Sequence, residues 1–433
     1  MAEVLLNLAE RIDEAAEVVE RLLATPEENV KRFKRRLAGL KRGRKFVDWR
    51  EAPNFARKLE GMLANLREGA DTPETGVELI AAFYRCDRSV FERCDDSSGM
   101  IGDVFRYDAR ILFVRYAAAC VEKDWLRGRL LELYENDDYG VRHSLLEVAP
   151  EFLPERTVYK LISQMWERAE AELPGSFDAD HWRIGVRTLA RQMKDAEIYE
   201  KAWLASSPDP SAGVCMDIAE VYVEADDPKV ALHWMERIPE SNKFQAIKQD
   251  SLLFTIYKQL GDREGMTKVA WRIFLNHRSA DNLQTLLSTI GESEGERVVG
   301  EQIKKILEGD SLSYSDAQFL VEIEKVQAAE DYILSHAAEL DGDLYPQILS
   351  LTKPLEEAGC LLGAVALYRA LLESILRRAV SRYYHHGVRY LKKLDALGSR
   401  IDDWRDFTPH ESYKEELLEK HARKHSFWAR YEA

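Results

Sequence analysis

Helix breaks recur down the second half of this chain at almost constant pitch, and that periodicity limits its fold more than any other feature. The breaks fall near Lys194, Asp227, Gly261, Gly291, Glu324 and Gly359, at intervals of 33, 34, 30, 33 and 35 residues. Apolar residues at helical spacing flank each one. A period of about 34 residues built from two helices marks tetratricopeptide-like repeats. One such hairpin cannot bury its apolar face alone, so neighbours must stack. The pattern predicts an all-α fold, a right-handed α-solenoid of tetratricopeptide-like hairpins, with HEAT-like hairpins as the alternative.

The residues around the breaks agree in part. Helices that cross closely need small side chains at the crossing. Ala219 and Tyr222 precede the break at Asp227, and Ala231 and Met235 follow it. Ala364 and Tyr368 follow Gly359 at the matching spacing. The Gly261 repeat keeps Tyr257 but carries Met266 where alanine is preferred, and the Gly291 repeat is two to four residues short. The repeats are degenerate.

A chain of 433 residues with 45% apolar and 10% aromatic residues can build a continuous helical core. The net charge of −15 opposes general affinity for nucleic acid or membranes. That charge is uneven. Residues 1–70 carry 15 basic against 12 acidic side chains, and residues 377–433 carry 13 against 9, which leaves −22 for the middle. Five cysteines without a framework (Cys86, Cys94, Cys120, Cys215 and Cys360) point to reduced thiols and a cytoplasmic setting. The first residues lack a basic leader, and no stretch is apolar enough to span a membrane.

In the first half, residues 4–23 have the spacing of an amphipathic helix. Thr25-Pro26-Glu27-Glu28 starts another with a capping box. Pro53 and Thr72-Pro73 mark two further starts. Helices are then expected up to about Cys120 and over 123–135, 141–152, 155–173 and 180–193. Leu173-Pro174-Gly175-Ser176 reads as a seam. The expected organisation is a helical array over 1–173, tetratricopeptide-like repeats over 174–376 and a basic helical cap over 377–433.

Several stretches resemble a bacterial family of helical proteins of unknown function. They are Phe46-Val47-Asp48-Trp49-Arg50, the run Phe91 to Gly99 with Gly102-Asp103-Val104-Phe105, Asn136-Asp137-Asp138-Tyr139-Gly140, Leu367 to Glu373 with Tyr390-Leu391, and Lys424 to Trp428. The family is similar to helical regions of SWIM zinc-finger proteins, but the Cys-x-Cys and Cys-x-His zinc motif is absent here. The resemblance implies a helical-repeat fold and no particular activity.

Two regions stand out as candidate sites. The first is a pair of acidic loops with Asp95, Asp96, Ser97 and Asp103 in one and Asp137, Asp138 and Tyr139 in the other. The helices between them form a short antiparallel hairpin, which should bring the two loops together at one end. Clustered carboxylates are tolerated when solvated, bonded to backbone amides, or used to bind a cation or basic partner. The second is Lys31–Lys45, with nine basic residues in fifteen. Phe33, Leu37 and Leu40 should face the core, leaving Lys31, Lys34, Arg35, Lys41 and Arg42 outward to meet phosphates, the acidic residues Glu14, Glu17 and Glu20, or the acidic middle of the chain.

Histidines offer little. His385 and His386 are adjacent and should point to different faces, while His421 and His425 lie four apart without an intervening acid in the zinc-protease manner. No phosphate-binding, dinucleotide or nucleophile-elbow motif occurs. The expectation is a non-enzymatic scaffold, without metal or cofactor, that binds a protein or peptide. The alternative is a nucleic-acid-associated protein using its basic ends.

Overall fold

A computed structural model of the chain describes residues 24–67, 70–239 and 241–433. The helix expected over residues 4–23, with Glu14, Glu17 and Glu20, lies outside them. The fold is all-helical, with no strand among the described residues. One isolated parallel bridge joins Val47 to Cys94. The chain divides into two compact units, Met1–Phe244 and Gln245–Ala433. Among the described residues no helix is long and apolar enough to cross a membrane.

Five of the breaks close by one and the same turn. Lys194, Asp226, Gly261, Glu324 and Gly359 all adopt left-handed backbone, with φ of 55°, 62°, 69°, 60° and 79°. In each case the next amide donates to the carbonyl five residues back. The pairs are Asp195 to Ala190, Asp227 to Tyr222, Asp262 to Tyr257, Lys325 to Leu320 and Cys360 to Leu355, at 2.8–3.0 Å. This double-bonded ending satisfies carbonyls that a helix terminus would leave unpaired. Asp195, Asp227 and Asp262 then cap the following helix, accepting from the amides of Ile198, Val230 and Gly265. A two-residue connection thus ends one helix and starts its antiparallel partner.

The break read at Asp227 belongs to Asp226, one residue earlier. Gly291 is a different turn. Its φ of 109° and ψ of 140° are not left-handed helical, and a 3-10 turn at Glu292–Glu294 leads into helix Gly295–Leu307. The short repeat in the sequence coincides with this change of turn.

The small-residue rule holds at the crossings, with one reassignment. Ala219, Ala231 and Ala364 are fully buried. In the Gly261 hairpin the close approach falls on Gly265, not Met266. A Cβ there would lie 2.4 Å from the Tyr257 ring. Neighbouring hairpins also share polar links. The buried Glu330 carboxylate of helix Val326–Ser335 accepts from the Gly363 amide at 2.9 Å, at the start of helix Leu361–Arg378. An acid fits there because the first amides of a helix are unpaired and carry partial positive charge.

Two local expectations change. Residues 141–152 form two 3-10 turns, His143–Leu145 and Ala149–Glu151, instead of a helix. Pro150 cannot supply an amide to a continuous helix there, and the His143 amide is spent on the Asp137 carboxylate. His421 ends helix His410–His421 and His425 begins helix His425–Glu432, so their four-residue spacing does not place them on one helical face.

Near the C-terminus, three helices meet at one carboxylate. Asp395 of helix Tyr384–Gly398 bonds to His410 and Lys414 at 2.8 Å each and accepts from the Tyr431 hydroxyl. Burial pushes its pKa up, but the bonds from Lys414, Tyr431 and His410 outweigh burial and hold it below the ordinary value.

Replacing Lys194, Asp226 or Glu324 by glycine removes a Cβ from left-handed backbone and should stabilise the protein by about 0.5–1 kcal/mol each. Denaturant titrations in which all three lose stability would show that the turns do not tolerate it. Because Asp395 has a lowered folded pKa, its contribution is present above the unfolded carboxylate value of about 4 and is lost as pH falls. Asp395→Asn should therefore cost about 1–2 kcal/mol at pH 7 and show a shallower loss of stability in acid. Identical melts of variant and parent at neutral pH would remove the network from any stabilising role.

Candidate functional site

The acidic loops sit on a tightly bonded frame. Helix Pro73–Tyr84 leads into the short helix Asp87–Phe91, and a second short helix, Met100–Asp103, opens a π-helical turn at Val104–Ala109. The Asp96 carboxylate spans the amides of Ile101 and Gly102, at 2.9 and 2.8 Å. Gly99 adopts φ 77°, which lets the chain turn back over Asp96. Asp95 accepts from the Ser97 amide at 3.1 Å in a local turn. Asp103 is exposed, with Arg106 3.9 Å away.

The second loop follows helix Lys123–Glu135. Asp137 accepts from the His143 amide at 2.7 Å, and burial raises its pKa despite that bond. Its Oδ1 is buried with no hydrogen-bond partner among the described residues. Asp138 faces Arg88 at 3.8 Å, and Tyr139 stacks on Phe91 with ring centroids 5.0 Å apart. Phe91 in turn leans on Phe105 at 5.6 Å. The second loop therefore meets the helix just before the first loop. No hydrogen bond or ion pair among the described residues joins Asp95, Asp96 or Asp103 to Asp137 or Asp138. Nor does any group of three or more acids, histidines or cysteines there converge on a possible metal position.

The strongest link between these segments had no mark in the sequence. Arg142 donates to Asp87 through Nε and Nη2, both at 2.7 Å, and through Nη1 to the Leu133 carbonyl at 3.2 Å. The two side chains are 6% and 1% exposed, so the pair is fully desolvated. Two parallel bonds match a guanidinium to a carboxylate and satisfy both groups where water cannot. The partners are 55 residues apart and belong to no motif, so only the folded chain reveals them.

The basic stretch follows its expected faces. Phe33, Leu37 and Leu40 are buried on helix Pro26–Arg42, while Lys31, Lys34, Arg35, Lys41 and Arg42 are exposed. Thr25 and Glu28 form the capping box. The loop beyond carries two exposed aromatics, Phe46 and Trp49, and Arg50 lies over the Trp49 ring at 5.0 Å. Arg93 pins this loop by donating to the Lys45 carbonyl. His385 and His386 do not diverge as expected. Their rings lie 3.9 Å apart at the start of helix Tyr384–Gly398.

A cleft of about 470 Å³ opens beside the second loop. One wall is helix Phe177–Gln192, which presents Ile184, Arg187, Thr188 and Arg191 on one face. Tyr199 and Trp203 come from the antiparallel helix Ala196–Ser206, and His143 and the acidic Glu147 from the segment after the second loop. The His143 ring bonds the Thr188 hydroxyl at 3.0 Å, and burial holds its pKa below the ordinary value. Arg187 lies over the Trp203 ring at 3.9 Å and donates to the Ser206 hydroxyl at 3.3 Å. Burial lowers its pKa, and no ion pair to it occurs among the described residues. The buried Trp203 Nε1 also lacks an acceptor among the described residues. Sequence reasoning missed this cleft, although Ile184, Arg187, Thr188 and Arg191 have the three-and-four spacing of one helical face.

The model of a family of unknown function, DUF6880, matches residues 1–430. The chain belongs to DUF6880. Neither a curated protein nor a solved structure matches it. In this DUF6880 chain the two acidic loops, the buried pair and the cleft lie together in the unit Met1–Phe244.

Removal of one partner should separate the structural contacts from the rest. Asp87→Asn leaves Arg142 buried without its counter-charge and should cost about 3–5 kcal/mol. Asp96→Ala loses two amide bonds and should cost about 1 kcal/mol or more. Urea unfolding of both variants checks the order. A larger loss from Asp96→Ala would mean that the buried pair contributes less than its geometry implies.

Proposed function

We propose that this chain is a non-enzymatic scaffold that binds a protein or peptide segment along its helical hairpins. The observation that carries the reading is the cleft at Arg187 and Trp203. Half-buried Arg187 is stacked there on half-buried Trp203 with no ion pair among the described residues, and the buried Trp203 Nε1 has no acceptor among them. A buried donor left unpaired, such as this indole N–H, costs free energy. A polypeptide's carbonyls or carboxylates would satisfy both groups, and the exposed Ile184 beside them would cover an apolar side chain.

The wider architecture is part of the same proposal. The repeated two-residue turn and the near-34-residue pitch support tetratricopeptide-like hairpins stacked as a right-handed solenoid. The likeness to helical regions of SWIM proteins supports the same helical setting and brings no zinc. Buried free thiols at Cys86, Cys120, Cys215 and Cys360 support a cytoplasmic setting. A second reading, nucleic-acid association, draws on the exposed basic face of helix Pro26–Arg42 next to exposed Phe46 and Trp49.

Affinity capture from the native host separates the two. The wild-type chain should retain a discrete protein that Ile184→Asp loses with its melt unchanged. Capture should vary by no more than about twofold between roughly 50 and 200 mM salt, whereas contact with six or more phosphates would weaken it roughly a thousandfold. A nuclease-sensitive, steeply salt-dependent ligand unaffected by Ile184→Asp would favour nucleic acid instead.

A further inference from the structure

The unit Gln245–Ala433 contains a recess unrelated to the cleft above, with a volume of about 290 Å³. Its floor is apolar, formed by the buried Leu371, Ile375 and Tyr390 and the half-buried Leu349. Gly342 belongs to the same wall and packs directly on helix Leu361–Arg378. A Cβ at Gly342 would stand 2.0 Å from the Ala370 carbonyl oxygen, so backbone meets backbone there. The recess is thus shaped by rigid elements.

Its rim is aromatic and cationic. Tyr345 and Tyr383 are exposed at the edge, and Arg378, Arg389 and His386 complete the lining. No acidic side chain contributes to that lining. Arg378 already faces Asp343, with Nε at 3.5 Å. Arg389 is not so committed. It donates to His386 Nδ1 at 3.5 Å and lies over Tyr390 at 5.3 Å, with no carboxylate partner among the described residues. Around the rim, Arg377, Arg378, Arg382 and Arg389 outnumber Asp341 and Asp343 by two charges, in a chain of net charge −15. Burial and the neighbouring His385 and Arg389 hold the His386 pKa below the ordinary value, so at neutral pH its ring can serve as an uncharged hydrogen-bonding group.

We propose that this recess binds an amphipathic carboxylate, an apolar body about the size of one large side chain carrying a single anionic group. The apolar floor takes the body, and the Arg389 guanidinium at the rim takes the carboxylate. Concave sites of this kind combine a largely apolar wall with a few convergent polar groups that fix orientation. A planar guanidinium matches a carboxylate through two parallel bonds. The ligand can be a free acid or the C-terminal residue of a peptide, since both present the same chemistry. The site stands independently of the partner cleft in the other unit.

Calorimetric titration of the full chain tests it with two matched pairs. One pair is 3-phenylpropionate and its amide, and the other is N-acetyl-Gly-Gly-Phe and its C-terminal amide. An acid should bind at least about tenfold tighter than its own amide, the worth of one charge-assisted hydrogen bond. If only the peptide acid binds, the source is a polypeptide C-terminus, and if the free acid binds equally well, it is a small molecule. Arg389→Gln, at an exposed position, should keep the parent's melting temperature and abolish the preference for acid over amide. Arg389→Lys should restore part of it. The proposal falls if no acid binds at millimolar concentration, if acid and amide bind alike, or if Arg389→Gln leaves the preference intact.

Discussion

The two-residue left-handed turn is the constraint on which the rest of this structure depends. Five times, one residue with positive φ ends a helix and the next residue opens its partner. The connection is too short to let the second helix go anywhere but back along the first. Short amphipathic helices are marginal alone, so each hairpin is stabilised mainly by what it packs against. Capping by Asp195, Asp227 and Asp262 makes the restart as definite as the stop. Three of the five turns adopt this conformation without glycine, at Lys194, Asp226 and Glu324. Neighbouring packing must therefore offset a strain of about 1–2 kcal/mol at each.

The same economy shapes the region around the cleft. The buried Asp87–Arg142 pair joins helix Asp87–Phe91 to the loop that follows helix Lys123–Glu135. That loop then delivers the His143 amide to Asp137 and the His143 ring to Thr188. A chain of bonds thus leads from a fully desolvated ion pair to the wall of the cleft. Arg187 and Trp203 lie beside that series, Arg187 bonded to the Ser206 hydroxyl and the buried Trp203 Nε1 without an acceptor among the described residues. Rigid support behind a few polar groups is the arrangement that recognition sites favour.

Much of the fold was legible because its signals are local. Helix periodicity, the Thr25–Glu28 capping box, the Thr72 cap and the turn residue at each break all act within a few residues. Where the reading slipped, a side-chain contact outside the helical pattern decided. Residues 141–152 look helical, but the Asp137 carboxylate claims the His143 amide. Met266 looks like a defect until the Tyr257 ring is seen to rest on Gly265. The candidate acids were visible as a composition, yet their bonds were not. Asp96 is spent on two amides and Tyr139 on Phe91, while Asp87, the acid at the centre of the frame, has no neighbours in sequence to mark it. The cleft was invisible for the same reason, since Arg187 gains its meaning only from Trp203 on the next helix.

Site-directed photo-cross-linking in the native host is the most direct test of partner binding at the cleft. A photoreactive residue would replace Ile184, with Ile111, 65% exposed and outside the cleft, as the matched control. The expected result is one discrete, protease-sensitive adduct from position 184 and none from position 111. No adduct at 184, equal adducts at both positions, or an adduct destroyed by nuclease would contradict a protein-binding cleft at Arg187 and Trp203.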